Sequence, residues 1–221
     1  MGMKKICVLI ALMLTLSLLL CSAASAEVIT ALATEINPEH LEKTASYARI
    51  LGCDAVHDTI TVELIVPEVF SRDDVLALRV GDGIYTGGRE IVIQTMERCD
   101  NDSLIVINEG EYEYAEGSVY LYEDPSGNYR PEVYEDYTWI SLALLRCPIQ
   151  ANMLFLDGID PNTGDPRALP AVYTAQELKA QLLEAQATGE DALGLASNNV
   201  YVVFDGEGNL AAIQRFYVPW Q

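Results

Sequence analysis

From Thr59 the chain alternates apolar and polar positions. Ile60, Val62, Leu64 and Val66 point one way, Thr59, Thr61 and Glu63 the other, and Pro67 stops the run. A period of two marks a half-buried strand. Upstream the spacing is different. Asn37-Pro38 offers a capping side chain followed by proline at the first helical position. Leu41, Ala45, Ala48 and Leu51 then recur at three- to four-residue intervals, and Gly52 closes the pattern. This predicts a first helix over 37–52, preceded by a strand within Val28–Ile36. Ser71 with Asp74 predicts the cap of a short helix running to Leu78.

Turn residues then punctuate the chain closely. Gly81-Asp82-Gly83 and Gly87-Gly88 supply backbone freedom, and Asp100-Asn101-Asp102 separates the apolar runs Ile91–Met96 and Ser103–Asn108, which read as a hairpin. Further strands are expected on either side of Ala115–Gly117 and of Asp124-Pro125-Ser126-Gly127-Asn128. Such short, evenly punctuated strands predict an antiparallel barrel, closed or nearly so, over residues 59–140. Beyond Ile140 come the apolar runs Leu142–Leu145 and Met153–Leu156, and a loop from Asp157 to Pro170. Thr174 with Glu177 forms a capping box for a second helix whose buried stripe is Leu178, Leu182, Leu183 and Ala185. Val200–Asp205 and Asn209–Val218 form a hairpin about Gly206-Glu207-Gly208. The expected fold is α+β and mostly β: a small antiparallel β-barrel-like core with two main helices and a C-terminal β-hairpin. It divides into a β-rich part over 27–140 and a helix-plus-hairpin part over 141–221 that either stands alone or shares the first core.

The N-terminus reads as a leader. Lys4 and Lys5 precede an apolar run from Ile6 to Leu20, and Ala24-Ser25-Ala26 offers small residues for cleavage before Glu27. The run is shorter than the roughly 20 residues of a spanning helix. A lipid anchor on Cys21 is disfavoured because Leu20 is not small. The sequence therefore predicts a secreted or envelope-located bacterial protein with a 1–26 signal peptide and no span after its removal.

Charge narrows the partners. The chain has 33 acids against 13 Lys and Arg, a formal charge of −20. Losing Lys4 and Lys5 with the leader makes it more negative still. Such a surface repels phosphate backbones, so nucleic acid is excluded as a partner, and it favours cationic or neutral ligands. The segment from Glu109 to Tyr137 concentrates this character, with seven of the twelve tyrosines, nine acids and Arg130 as its one base. Tyr112, Tyr114, Tyr120, Tyr122, Tyr129, Tyr134 and Tyr137 are the candidate contact residues, for a cationic or polyol surface ligand. The competing reading is cross-strand tyrosine packing within a sheet.

Catalytic chemistry has little to stand on. Only His40 and His57 are available as imidazole bases, and neither a nucleophile elbow nor a zinc helix is present. Cys53, Cys99 and Cys147 read as buried thiols with at most one pair bridged, and their spacing resembles no zinc site. Asp157, Asp160, Asn162 and Asp165 crowd one glycine-containing loop with hard oxygen ligands. Calcium is thus the one cofactor with a candidate site, but the helix-loop-helix spacing is missing and the same residues make a good turn without metal. The function expected is a non-catalytic binding or cell-envelope module. The alternatives are an extracellular hydrolase using a carboxylate pair on sugar or peptide, and a calcium-stabilised surface protein.

Overall fold

The computed structural model describes residues 26–109, 118–133, 136–189 and 194–218. Among these residues the fold is mostly β, with two α-helices and three open sheets. Elements in chain order are β1 (Val28–Ile29), β2 (Ala45–Asp54), β3 (Thr59–Pro67), α1 (Arg72–Ala77), β4 (Gly83–Thr86), β5 (Arg89–Val92), β6 (Met96–Cys99) and β7 (Leu104–Ile107). They continue with β8 (Val119–Glu123), β9 (Tyr129–Val133), β10 (Asp136–Tyr137), β11 (Trp139–Pro148), β12 (Leu154–Ile159), β13 (Pro166–Thr174), α2 (Ala175–Thr188), β14 (Val200–Phe204) and β15 (Leu210–Arg215).

The main sheet has seven strands in the order β11-β3-β2-β14-β15-β12-β13. Strands from both sides of residue 140 therefore share one sheet, and they share one core: Ile50, Val62, Leu64, Phe155, Val202 and Ile213 pack with Leu178 and Leu182 of α2. The capping box at α2 is formed as the sequence reads. Thr174 Oγ1 accepts from the Glu177 amide at 3.3 Å, and Glu177 Oε2 accepts from the Thr174 amide at 2.7 Å. Gly189 ends the helix in the left-handed conformation, at φ 73°. Ser71 caps α1 through Asp74, and the β14–β15 hairpin and the alternation in β3 also follow the sequence reading.

The predicted helix over 37–52 is instead a turn followed by β2. Asn37 Oδ1 accepts from the Glu39 amide at 3.0 Å, so the side chain closes an Asx turn rather than a helix. Beyond it, Ser46, Ala48 and Ile50 are buried while Ala45 and Leu51 are exposed. Both periods were latent in this stretch, and pairing to β3 on one side and β14 on the other selects the period of two. Leu51 is the extra residue of a bulge between Ile50 and Gly52, which shifts the phase and returns Cys53 to the core. Of the strand expected within Val28–Ile36, only Val28–Ile29 pairs.

The expected barrel over 59–140 does not form among the described residues. β3 joins the main sheet, and the remaining strands make two small open sheets, β1-β4-β5 and β10-β9-β8-β7-β6. These pack in a sandwich-like way about Phe70, Ile84, Ile93, Ile105, Leu121 and Tyr129. The hairpin across Asp100–Asp102 is real but uses Met96–Cys99, whereas Ile91 and Val92 belong to the turn at Gly87-Gly88. The chain crosses between the two small sheets at residues 93–95, and a buried asparagine holds this corner. Asn108 Oδ1 accepts from the amides of Gln94 and Thr95 at 2.7 and 3.1 Å, and its Nδ2 donates to the Val92 carbonyl at 2.8 Å. Closure into a barrel would need hydrogen bonding to run on through this corner.

Three hairpins turn on an aspartate that accepts from its own loop. At Asp124 and Asp205 the pattern is Asp-x-x-Gly-Asn in both cases, with the Asp amide bonded to the Asn carbonyl at 2.7 and 2.9 Å. The loop expected between Asp157 and Pro170 is the third: β12 and β13 pair on either side of a turn at Asp160–Asp165.

Candidate functional site

In β2 the side chains of Ser46 and Ala48 enter the main core, so Tyr47 between them projects from the opposite face of the sheet. Tyr201 of β14 sits directly across from it, and their rings meet edge-to-face at 5.2 Å. Trp139 at the start of β11 meets the same tyrosine at 5.0 Å, and Phe216 beyond β15 at 6.0 Å. The smaller five-stranded sheet extends this group. Arg130 of β9 lays its guanidinium 4.3 Å from the Tyr137 ring centre and 5.4 Å from that of Trp139. Tyr137 in turn meets Tyr122 edge-to-face at 6.4 Å. All six rings are half-buried. The result is a connected band of aromatic side chains that crosses from one sheet to the other, with a stacked cation at the crossing. Burial pushes the Tyr122 phenol above its ordinary value, helped by Glu132 and Tyr137.

Within the band, Arg130 stands apart. Its Nε and Nη2 are shut off from solvent and have no hydrogen-bond partner among the described residues. A buried donor left unsatisfied is costly, and native folds seldom retain one without a reason.

The tyrosines named from the sequence divide. Tyr122 and Tyr137 lie in the band. Tyr120 shares the outer face of β8 with Tyr122, since Val119 and Leu121 take the core, and its hydroxyl donates to Glu109 Oε1 at 3.4 Å. Tyr112, Tyr114 and Tyr134 lie outside the described residues. Tyr129 is a correction: it is completely buried, its backbone bridges to Phe70, and its hydroxyl donates to the Asp102 carbonyl. Alternation along β9 sends Tyr129 and Pro131 inward and leaves Arg130 outside, so the strand presents a cation where the sequence reading placed a phenol. Tyr47, Trp139, Tyr201 and Phe216 escaped that reading. The signal for Tyr47 and Tyr201 was available in principle, because each alternates with small or apolar neighbours on its strand, but nothing local places four distant strands side by side.

The acidic loop does not assemble as a metal cluster. Asp157 is buried and its two oxygens receive Arg215, Nε to Oδ1 and Nη2 to Oδ2, both at 2.8 Å. Asp160 Oδ1 accepts from the Asn162 amide at 2.9 Å and from Asn162 Nδ2 at 3.2 Å. That backbone bond is the chief reason the Asp160 carboxyl is held below the ordinary carboxylate range. Asp165 is exposed at the end of the turn. Among the described residues no three His, Cys, Asp or Glu side chains converge as metal ligands do.

Among the described residues the three thiols, Cys53, Cys99 and Cys147, are free, and Cys99 is only half-buried. Cys53 and Cys147 each pair with Ile60, one from either side, which sets them two strand spacings, roughly 10 Å, apart. Burial pushes the Cys147 thiol up to about 11. His57 is exposed in the β2–β3 turn and pairs with Asp54, Nδ1 to Oδ2 at 2.6 Å, rather than with Cys53. Glu97 and Glu109 line a surface groove of about 280 Å³ with Thr95, Met96 and Val106. No helix among the described residues is long and apolar enough to cross a membrane. Compared with protein families, curated proteins and solved structures, the chain matches none.

Proposed function

We propose that this chain is an exported, non-catalytic binding module that works at or outside the cell envelope and makes contact through its aromatic band. The observation that carries this reading is the continuity of the band. Six half-buried rings from five separate segments of the chain, joined through Arg130, meet on the outer faces of two sheets. Rigid rings offer large contact area at little entropic cost on binding. The basic start, apolar run and Ala24-Ser25-Ala26 support export, and the acidic surface suits a protein that must remain dispersed.

Retention on insoluble envelope material tests the reading. A variant with Tyr122→Ser, Tyr137→Ser and Trp139→Ser, shown by circular dichroism to remain folded, is expected to lose the retention that the unaltered protein shows. Equal retention of both would remove the band from the function. Mass spectrometry of the protein recovered from its host is expected to begin at Glu27; the intact chain found free in the cytosol would end the export reading.

A hydrolase is the second reading, and the groove favours it by bringing Glu97 and Glu109 to one surface beside Tyr120. It requires measurable turnover of a glycan or peptide that Glu97→Gln and Glu109→Gln each abolish.

A further inference from the structure

Resting on the reading of the band as a contact surface, we infer that it takes a neutral polyhydroxylated ligand, an oligosaccharide chain, with Arg130 as its hydrogen-bond donor. Three classes of ligand compete for a ring surface, and charge separates them. A polyanion offers acceptor oxygens but must approach a chain with 33 acids and 13 bases, against a field that repels it. A cation suits acidic surroundings and ring faces. The cation seats on Tyr137 and Trp139 are, however, already filled by the Arg130 guanidinium at 4.3 and 5.4 Å. A second cation would have to displace the first or lie beside it.

A neutral sugar is not repelled by the acidic field, and it engages the seated guanidinium as a hydrogen-bond donor instead of competing with it as a second cation, packing on the ring surface that Arg130 leaves uncovered. Its C–H faces pack on rings, and its hydroxyl and ring oxygens accept hydrogen bonds without carrying charge. Arg130 supplies the matching donors. Nε and Nη2 are buried and, among the described residues, unpartnered, whereas the same two nitrogens of the buried Arg215 are both taken by the Asp157 carboxylate. A small shift of Tyr137 or Trp139 opens these two donors to an oxygen seated on the band. The ligand thereby satisfies groups that the free protein leaves unpaired, which gives the site its preference for acceptor-rich, uncharged molecules. Tyr122 continues the same surface with a phenolic hydroxyl able to donate or accept.

Trp139 fluorescence in the purified protein, as its host yields it, provides the readout, with Trp139→Phe identifying the signal from this residue. Cellohexaose, maltohexaose and the hexamer of N-acetylglucosamine serve as neutral probes, poly-lysine as the cation and polygalacturonate as the anion. At least one neutral probe is expected to give a saturable change that survives 0.5 M salt. Arg130→Met and Arg130→Lys are each expected to weaken it tenfold or more, the lysine variant separating loss of the donor fork from loss of charge. Unchanged sugar affinity in both variants would overturn the role of Arg130. Saturation by poly-lysine or polygalacturonate alone would overturn the ligand class. No saturable response to any neutral probe at millimolar concentration, with band-dependent envelope retention intact, would sink this inference and leave the binding-module reading standing. Loss of both would sink the two together.

Discussion

Asp157 and Arg215 lie opposite each other on the parallel strands β12 and β15 and join in a two-pronged ion pair, with both contacts at 2.8 Å and both side chains almost fully buried. The pair sits where the last strand of the chain is inserted between β12 and β14. Gly158 beside it has no room for a side chain, since a Cβ there would stand 2.8 Å from the Arg215 carbonyl oxygen. Removing one member of a buried pair strands the other charge, at a cost of about 3–5 kcal/mol. Asp157→Ala is therefore expected to lower the urea midpoint far more than the combined change Asp157→Leu with Arg215→Met, which leaves no unpaired charge. Equal losses in the two variants would contradict this.

Asn108 is the corner post of the smaller lobe, and it adopts φ 58° in doing so. Asn108→Leu leaves two amides and a carbonyl unpaired, each worth roughly 1–3 kcal/mol when buried. Asn108→Asp keeps the acceptor for Gln94 and Thr95 but sets an oxygen against the Val92 carbonyl. Both variants are expected to be destabilised, the leucine more, and hydrogen exchange should show early opening of residues 92–95. Native protection there would refute the assignment.

Tyr122 and Tyr129 lie on neighbouring strands of the same small sheet but differ in burial, the first half-buried and the second fully buried. Tyr129→Ala empties a fully buried site in the smaller core and is expected to cost about 3–5 kcal/mol, as large aromatic truncations do. Tyr122→Ala removes a half-buried ring from the outer face and is expected to cost much less. Denaturant melts of the two single variants decide it, and similar midpoints would mean the band is a core in its own right.

Acid should weaken the turns selectively. Asp205 is held below the ordinary carboxylate range chiefly by the Asn209 amide and then by that of Glu207, as Asp160 is by Asn162. A carboxylate with a depressed folded value binds fewer protons native than unfolded, so its contribution is complete above the unfolded value, near pH 4, and fades as pH falls through the folded one. Relief of the overall negative charge acts in the opposite direction on every variant alike. The stability difference between the unaltered protein and the Asp160→Asn, Asp205→Asn double variant should therefore be constant from pH 7 to 5 and shrink below about pH 4. A difference independent of pH down to 2 would rule the turns out as acid-sensitive elements.

Short-range chemistry was legible in the sequence. The Ser71 and Thr174 caps, the alternation of β3 and the turn at Gly206–Gly208 each depend on residues within a few positions of one another, and all appear in the structure. Residues 37–52 failed because Leu41, Ala45, Ala48 and Leu51 satisfy a helical spacing while Ser46, Ala48 and Ile50 satisfy a strand. Local pattern had no means of choosing between them. The barrel failed for a related reason: strand count and turn spacing were visible, but the second partner of β3 lies at Trp139–Pro148 and that of β2 at Val200–Phe204. Two tyrosines of the band, Tyr122 and Tyr137, are legible in the sequence, whereas Tyr47, Trp139, Tyr201 and Phe216 are not, because the contacts of Tyr47 with the other three rings reach across 92, 154 and 169 residues of chain (139 − 47, 201 − 47 and 216 − 47).

What the sequence alone determined is the strong β character, the acidic surface, the helix caps and the self-bonding aspartate turns, all consequences of side chains acting on their own backbone neighbourhood. Only the tertiary structure decided which strands share a sheet, that Asp157 belongs to Arg215 rather than to the loop beside it, and that Arg130 lies stacked between rings. Those outcomes follow from hydrogen bonding between remote strands and from burial that reverses at each successive residue, so that one bulge or one change of partner reassigns which side chains face the core.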